Sequence, residues 1–299
     1  MVTDYMPMEA NEMKISDIMK DRLAISLEVF PPKQDKPIGP LNEVISRFMR
    51  FSPDMISCTY GAGGTNKGRQ SDILRHICSE GTIAQANYTC IASRKDETLA
   101  LVEEYRGFGV GTFLALRGDY PKGTHSTNGD FEHANELASF LREHFPELEL
   151  GCGCYPEKHL ESVDMEEEYR IMRMKQDAGI DYFISQLCYD LDNFFRFRDA
   201  ARRNGVSLPI MHGLMPVLSI EGSLKMALSN GCSIPKGLAE LHGKYGDSPE
   251  DFKKAGKEYT LAAISRLLRE GVDGLQIFTL NKYDDAAEII ERAGLRCAK

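Results

Sequence analysis

The stretch Gly109-Val110-Gly111-Thr112-Phe113-Leu114-Ala115-Leu116 carries the fold in miniature. A helical pattern ends on glycine, a small apolar residue follows, and a short apolar run begins. Glycine adopts the left-handed conformation that stops a helix, and the apolar residue turns the chain back onto a sheet. The same junction recurs at Gly179-Ile180, Gly205-Val206 and Gly271-Val272. One connection used repeatedly predicts a repetitive α/β architecture.

Working outward from these junctions, eight short apolar, β-branched runs appear, at residues 25–30, 55–60, 83–90, 112–116, 150–155, 182–189, 210–214 and 275–280. Most are near-continuous rather than alternating, as in parallel strands covered on both faces. Between them, residues 97–108, 134–144, 166–178, 191–204 and 251–270 show helical periodicity. Strands alternating with helices of this length build βαβ units. Eight such strands predict a single-domain (β/α)8 TIM barrel over residues 1–299, with an open doubly wound sheet as the alternative. Residues 1–24 form a short N-terminal extension, and residues 13–25 suit a short amphipathic helix within it. A barrel places active groups at the C-terminal ends of its strands and in the loops that follow.

Composition narrows the function. The chain has 299 residues, 42% apolar and 27% charged, ordinary for a soluble globular protein that buries its own core. A net charge of -9 argues against a nucleic-acid partner, which needs clustered Lys and Arg. It leaves room for an anionic small ligand held by a local field or a helix N-terminus. No apolar run reaches the roughly 18–20 residues of a membrane span, and the polar N-terminus does not read as a signal peptide. The expected compartment is the cytoplasm. The eight cysteines are scattered with no CxxC pair, which suits buried thiols rather than a disulfide framework. Cys152 and Cys154 share one face of a strand. A metal reading there needs further ligands that the sequence does not place, so packing is expected and no metal.

Several strand ends carry polar residues that a core would not select. Glu28 lies inside the apolar Ile25-Ser26-Leu27-Glu28-Val29-Phe30. A buried carboxyl is costly unless paired or functional, and an apolar setting raises its pKa toward that of a proton donor near neutrality. The competing reading is a strand-edge glutamate facing solvent. Thr59-Tyr60-Gly61-Ala62-Gly63-Gly64 follows the second strand. It allows close backbone approach to a ligand but lacks the spacing of a Rossmann or P-loop motif. Leu116-Arg117-Gly118-Asp119 ends the fourth strand, where an aspartate could accept a hydrogen bond from a flavin ring. Tyr155-Pro156-Glu157-Lys158-His159 ends the fifth, and Gln186 interrupts the apolar sixth run. A buried glutamine amide must be satisfied, by neighbouring backbone or by the edge of a bound heterocycle.

The ordered strings S-L-E-V-F-P-P at 26–32, T-Y-G-A-G-G at 59–64, L-R-G-D at 116–119, Y-P-E-x-H at 155–159, K-x-D-A-G at 175–179, G-x-x-P-V at 213–217 and T-L-N at 279–281 resemble the methylenetetrahydrofolate reductase family. They span nearly the whole chain, in the manner of the short bacterial-type enzymes without a regulatory extension. The resemblance implies a barrel with non-covalent FAD, reduced by NADH or NADPH in the first half of a ping-pong cycle. In the second half, 5,10-methylenetetrahydrofolate is reduced to 5-methyltetrahydrofolate, which feeds methionine biosynthesis. By motif match Glu28 is the acid that protonates N10 as the folate ring opens, after which the iminium carbon takes hydride from flavin N5. Asp119 is the carboxylate beside flavin and pterin, and Gln186 contacts folate and nicotinamide. Thr59, Tyr60, Ala62, Arg117, Gly118, Tyr155, His159 and Lys175 match cofactor-side positions, and His133-Ala134 matches a flavin-contacting segment. Three positions depart from the family. Asn87 stands where histidine is usual on the flavin side. Ile220 replaces a common aromatic on the ligand rings. Lys282 replaces a frequent arginine, keeping the charge but losing the planar fork. A homo-oligomer is expected. Two other readings remain: a barrel flavoprotein fed by an electron-transfer partner subunit, motivated by Ile220, and a non-catalytic folate- or flavin-binding subunit, opposed by Glu28, Asp119 and Gln186.

Overall fold

The last strand of the sheet, residues 274–278, hydrogen-bonds back to the first, residues 24–29, so the sheet has no edge. The computed structural model describes residues 13–60, 67–120 and 129–295. Its strands are β1 (Ala24–Val29), β2 (Met55–Cys58), β3 (Ile83–Thr89), β4 (Thr112–Leu116), β5 (Glu149–Cys154), β6 (Tyr182–Ser185), β7 (Ile210–Leu214) and β8 (Gly274–Phe278). They pair in parallel, in sequence order, into a closed barrel. Closure runs through the register Glu28↔Ser57 on one side of β1 and Glu28↔Phe278 on the other. This is the (β/α)8 barrel; the doubly wound alternative fails because an open sheet would leave β1 and β8 unpaired.

The helices are α1 (Ile15–Asp21), α2 (Gly39–Phe48), α3 (Lys67–Ser79), α4 (Lys95–Arg106), α5 (Ala134–His144), α6 (Met165–Asp177), α7 (Leu191–Arg203), α8 (Ile220–Ser229), α9 (Lys236–Tyr245), α10 (Pro249–Glu270) and α11 (Tyr283–Arg292). The repeated junction works as its residues require. Gly109, Gly179, Gly205 and Gly271 all have positive φ. After two of them the apolar residue reaches back over the helix end: Val110 N–H donates to the Tyr105 carbonyl at 3.1 Å and Val206 N–H to Ala201 at 3.0 Å.

Strand residues alternate between the barrel interior and the helix layer. Cys152 and Cys154 are fully buried against the helices in the main apolar core. Gly151 faces inward, where a Cβ would meet the Tyr182 ring at 2.7 Å. The bottom of the barrel is closed by α1, whose Ile15, Ile18 and Met19 pack on Met55, Ile83 and Met211. Its N-cap residue Lys14 offers no side-chain cap. Glu149 of β5 supplies one instead, accepting from Ile15 N–H at 3.0 Å and Ser16 N–H at 2.7 Å. A carboxylate there also faces the positive end of the helix dipole. The sixth apolar run is longer than its strand because it serves two cores. β6 stops at Ser185, and Leu187 and Tyr189 pack beneath Met215, Val217, Leu238 and Phe252 in a second cluster under α8 to α10.

Candidate active site

The C-terminal ends of the strands surround a cavity of about 440 Å³. Glu28 faces it from β1, where the Thr279-Leu280-Asn281 string that follows β8 holds its backbone. Thr279 Oγ1 donates to the Glu28 carbonyl at 2.7 Å, and Asn281 clasps Phe30 through Oδ1 and Nδ2 at 3.2 and 2.8 Å. The Glu28 carboxyl lies deep among protein atoms, and burial pushes its pKa up to about 7 against the lowering effect of hydrogen bonds from Asn87 and Gln276. Asn87 Nδ2 is the donor to Glu28 Oε2, at 3.3 Å. The result is a carboxyl that can hold a proton at neutrality and release it into the cavity, and it is not a solvent-facing strand-edge residue.

Gly118 sets the position of its neighbours at the end of β4. Its φ is +87°, and a Cβ would lie 2.8 Å from Ile91 Cγ2 and 3.0 Å from Thr89 Cβ, so only glycine lets the chain pass so close to β3. Arg117 and Asp119 on either side line the cavity wall, Asp119 on its exposed rim. Arg117 closes a two-pronged pair with Glu161, its Nη2 donating to Oε1 at 2.8 Å, and lies 4.4 Å over the Tyr120 ring.

A second cavity of about 360 Å³ adjoins the first, sharing Arg117, Gly153, Tyr155 and His159. His133 and Ala134 line it at the start of α5, so the positive end of that helix opens onto it. Lys175 from α6 is buried there and donates to the Gly153 carbonyl at 2.7 Å. His159 packs edge-on to Tyr155 at 4.7 Å. Burial lowers its pKa, so the ring is neutral at neutral pH. Its Nδ1 accepts from Glu161 N–H at 3.2 Å, which puts the ring proton on Nε2.

Thr59, Tyr60, Asn87 and Gln186 also line the first cavity. Gln186 Oε1 accepts from Leu187 N–H at 2.8 Å and Nε2 donates to Asn230 Oδ1 at 2.9 Å, so neighbouring backbone meets part of its need. Ile220 and Lys282 lie outside the lining of both cavities. Ile220 opens α8 and packs on the second apolar cluster, and Lys282 is the exposed N-cap of α11. Ala62 falls outside the described residues. Sequence reasoning missed Glu161, Glu168, Asn230 and Gln276. Glu168 is buried and accepts from His159 N–H at 2.7 Å, holding the loop after β5. Gln276 had a readable signal, a polar residue one alternation below Phe278 in an apolar strand. Glu161 and Asn230 had none, because each meets its partner across a long stretch of chain.

Polar groups gathered at the C-terminal mouth of a filled barrel define a (β/α)8-barrel enzyme. Residues 14–294 match the family model of methylenetetrahydrofolate reductase. Methylenetetrahydrofolate reductase 1 of Schizosaccharomyces pombe is 30% identical over 293 residues, which cover 95% of this chain and 49% of that protein. The chain thus spans about half the length of that relative. It spans 93% of the Escherichia coli 5,10-methylenetetrahydrofolate reductase, which is 28% identical over 279 residues. The chain belongs to the methylenetetrahydrofolate reductase family of oxidoreductases. Among solved structures, an uncharacterized Clostridium thermocellum protein that binds two copies of 5-methyl-5,6,7,8-tetrahydrofolic acid shares the fold, with TM-score 0.65 and 17% identity over 93% of this chain and 97% of that one.

Proposed function

We propose that this protein reduces 5,10-methylenetetrahydrofolate to 5-methyltetrahydrofolate with NADH or NADPH, through non-covalent FAD. Family membership supports the reaction, and the observation that carries the reading is Glu28, a half-buried carboxyl on the wall of the mouth cavity whose pKa is pushed up to about 7. The residues present fit a flavin dinucleotide. Two adjoining cavities suit a long ligand, one walled by Leu114, Leu116, Ile184 and Phe278, the other lined by Arg117, Arg170 and Lys175 together with Glu161, Glu167 and Glu168. Thr89 Oγ1 is buried on the first wall with no hydrogen-bond partner among the described residues, an orphan that a ligand edge would satisfy.

In this reading Thr59, Tyr60, Asn87, Gly118 and Tyr155 take the ring end of FAD. Arg117, Lys175, His159 and the His133-Ala134 helix start take its phosphates. Bound FAD supplies the hydride relay between nicotinamide and folate. Asp119 accepts hydrogen bonds at the rim from flavin and pterin, and Gln186, steadied by Asn230, reads the edge of the bound heterocycle. Glu28 gives its proton to N10 as the five-membered ring of the substrate opens. The test is anaerobic. Purified protein should carry flavin that heat or acid releases, nicotinamide should bleach it, and methylenetetrahydrofolate should restore its colour. Protein that takes up no flavin overturns the reading. Flavin that a nicotinamide cannot bleach would favour a protein electron donor.

A further inference from the structure

Below the mouth, the side of the barrel interior formed by β1, β2, β3 and β8 carries polar residues where branched apolar side chains usually fill such barrels. Four side chains of the interior are joined end to end. Tyr182, at the start of β6, is fully buried and its hydroxyl donates to Gln85 Oε1. Gln85 Nε2 donates to Asn87 Oδ1 at 3.0 Å, and Asn87 Nδ2 donates to Glu28 Oε2 at 3.3 Å. Gly151 makes the room for the Tyr182 ring.

The chain has a direction. A primary amide has donors at one end and acceptors at the other. A phenol can donate or accept, but with its one proton on Gln85 Oε1 rather than on the Met55 sulfur 4.0 Å away, Gln85 turns its NH2 toward Asn87. Asn87, with Oδ1 so engaged, must turn its own NH2 toward Glu28. Without the chain, Asn87 can rotate and offer its carbonyl to Glu28, an arrangement that suits only the protonated acid.

We propose that Tyr182 and Gln85 are positioning residues, which fix the Asn87 amide so that its N–H, and not its carbonyl, faces the Glu28 carboxyl. The proposal rests on Glu28 being the proton donor. Strands beside Glu28 bring it no charge among the described residues. β2 presents Ser57 and Thr59, β8 presents Gln276 and Phe278, and the Cys58 thiol is kept neutral by burial. The titratable groups sharing its cavity are Tyr60, Arg117, Asp119, Cys154, Tyr155 and His159. Donated hydrogen bonds therefore offset the burial of the carboxylate and let Glu28 lose and regain its proton near neutrality.

Tyr182→Phe and Gln85→Leu cut the chain at different links while keeping much of the buried volume. In FAD-loaded protein, the rate of reoxidation by methylenetetrahydrofolate should fall with rising pH as Glu28 ionises. Both variants should move that fall upward by about one pH unit, the order expected for losing a hydrogen bond to a charged group. Flavin reduction by nicotinamide should keep its wild-type pH profile. The infrared carbonyl band of protonated Glu28, assigned by its loss in Glu28→Gln, should titrate with the same upward shift. A wild-type midpoint in both variants, or a shift in only one, overturns the proposal. If Glu28→Gln itself retains the wild-type fall with pH, the assignment of Glu28 is overturned instead.

Discussion

Glu161 occupies the guanidinium fork of Arg117, the cation placed between the two cavities. The Arg117 side chain is only 17% exposed, whereas Glu161 is 53% exposed. The fork is therefore built into the wall, and its carboxylate partner sits on a surface loop. If FAD binds as proposed, one of its phosphates would have to displace or share that partner.

Glu161→Gln should accordingly tighten FAD binding to apoprotein. Exposed ion pairs are worth up to about 1 kcal/mol and this one is half-exposed, so a gain of about fivefold is expected. The gain should shrink at high salt, which screens the competing pair. Titration of apoprotein with FAD, followed by quenching of flavin fluorescence at two salt concentrations, measures it. Weaker binding would mean that Glu161 itself contacts the cofactor.

Glu149 tests the floor of the barrel separately from its mouth. Glu149→Ala removes the acceptor for two N–H groups at the start of α1 and leaves the Thr112 hydroxyl without its 3.3 Å partner. Loss of a helix cap costs about 0.5–2 kcal/mol, and the buried void adds to it. We expect about 2 kcal/mol in urea denaturation with FAD affinity unchanged. A loss of FAD affinity in the folded variant would mean that the plug shapes the mouth as well.

The sequence made the barrel readable because the Gly–apolar junction and the apolar runs are local signals. Strands 112–116 and 210–214 match β4 and β7 residue for residue. The interior was harder to read. Ser26 and Glu28, Ser57 and Thr59, and Gln85 and Asn87 alternate with apolar residues at period two, so they share the inner face. Reading each run as continuously apolar hid that polar column, and with it Gln85 and Gln276. Motif residues at strand ends gathered at one mouth because a parallel barrel brings all those ends together. Ile220 and Lys282 did not join them: Ile220 packs on the second apolar cluster, and Lys282 is exposed at the N-cap of α11. Pairs such as Gln186 with Asn230 depend on loop paths that no local pattern encodes.

The raised pKa of Glu28 also predicts a pH-dependent stability difference. Its value rises from the ordinary 4.5 to about 7 in the folded protein. Below pH 4.5 the carboxyl is protonated in both folded and unfolded chains and costs nothing. Between 4.5 and 7 the unfolded chain ionises first, so stability is lost progressively, and the loss levels off above 7. Glu28→Gln escapes this loss. Its advantage over the native protein should be absent at pH 4, grow toward pH 7 and then stay constant, at no more than about 3.5 kcal/mol. Denaturation of both apoproteins across this range measures it, and a difference independent of pH would place the carboxylate in a solvated setting.

In the proposed reaction, the same substitution separates the two half-reactions. Reduction of flavin by nicotinamide is a hydride transfer and needs no acid, whereas opening the folate ring needs a proton at N10. Glu28→Gln keeps the size of the side chain and can still bond Asn87, but has no proton of suitable acidity to give. General acid catalysis is typically worth about 10²–10⁴-fold, roughly 3–5 kcal/mol. The variant should therefore reduce its flavin at close to the native rate and reoxidise with methylenetetrahydrofolate about 10²–10⁴-fold more slowly. Two anaerobic stopped-flow experiments on flavin absorbance, one for each half-reaction, decide the matter. Equal slowing of both would make Glu28 a support for the flavin or the barrel. Slowing of neither would remove it from the chemistry and leave its burial beneath the mouth, against the cost of a charge there, without a catalytic reason.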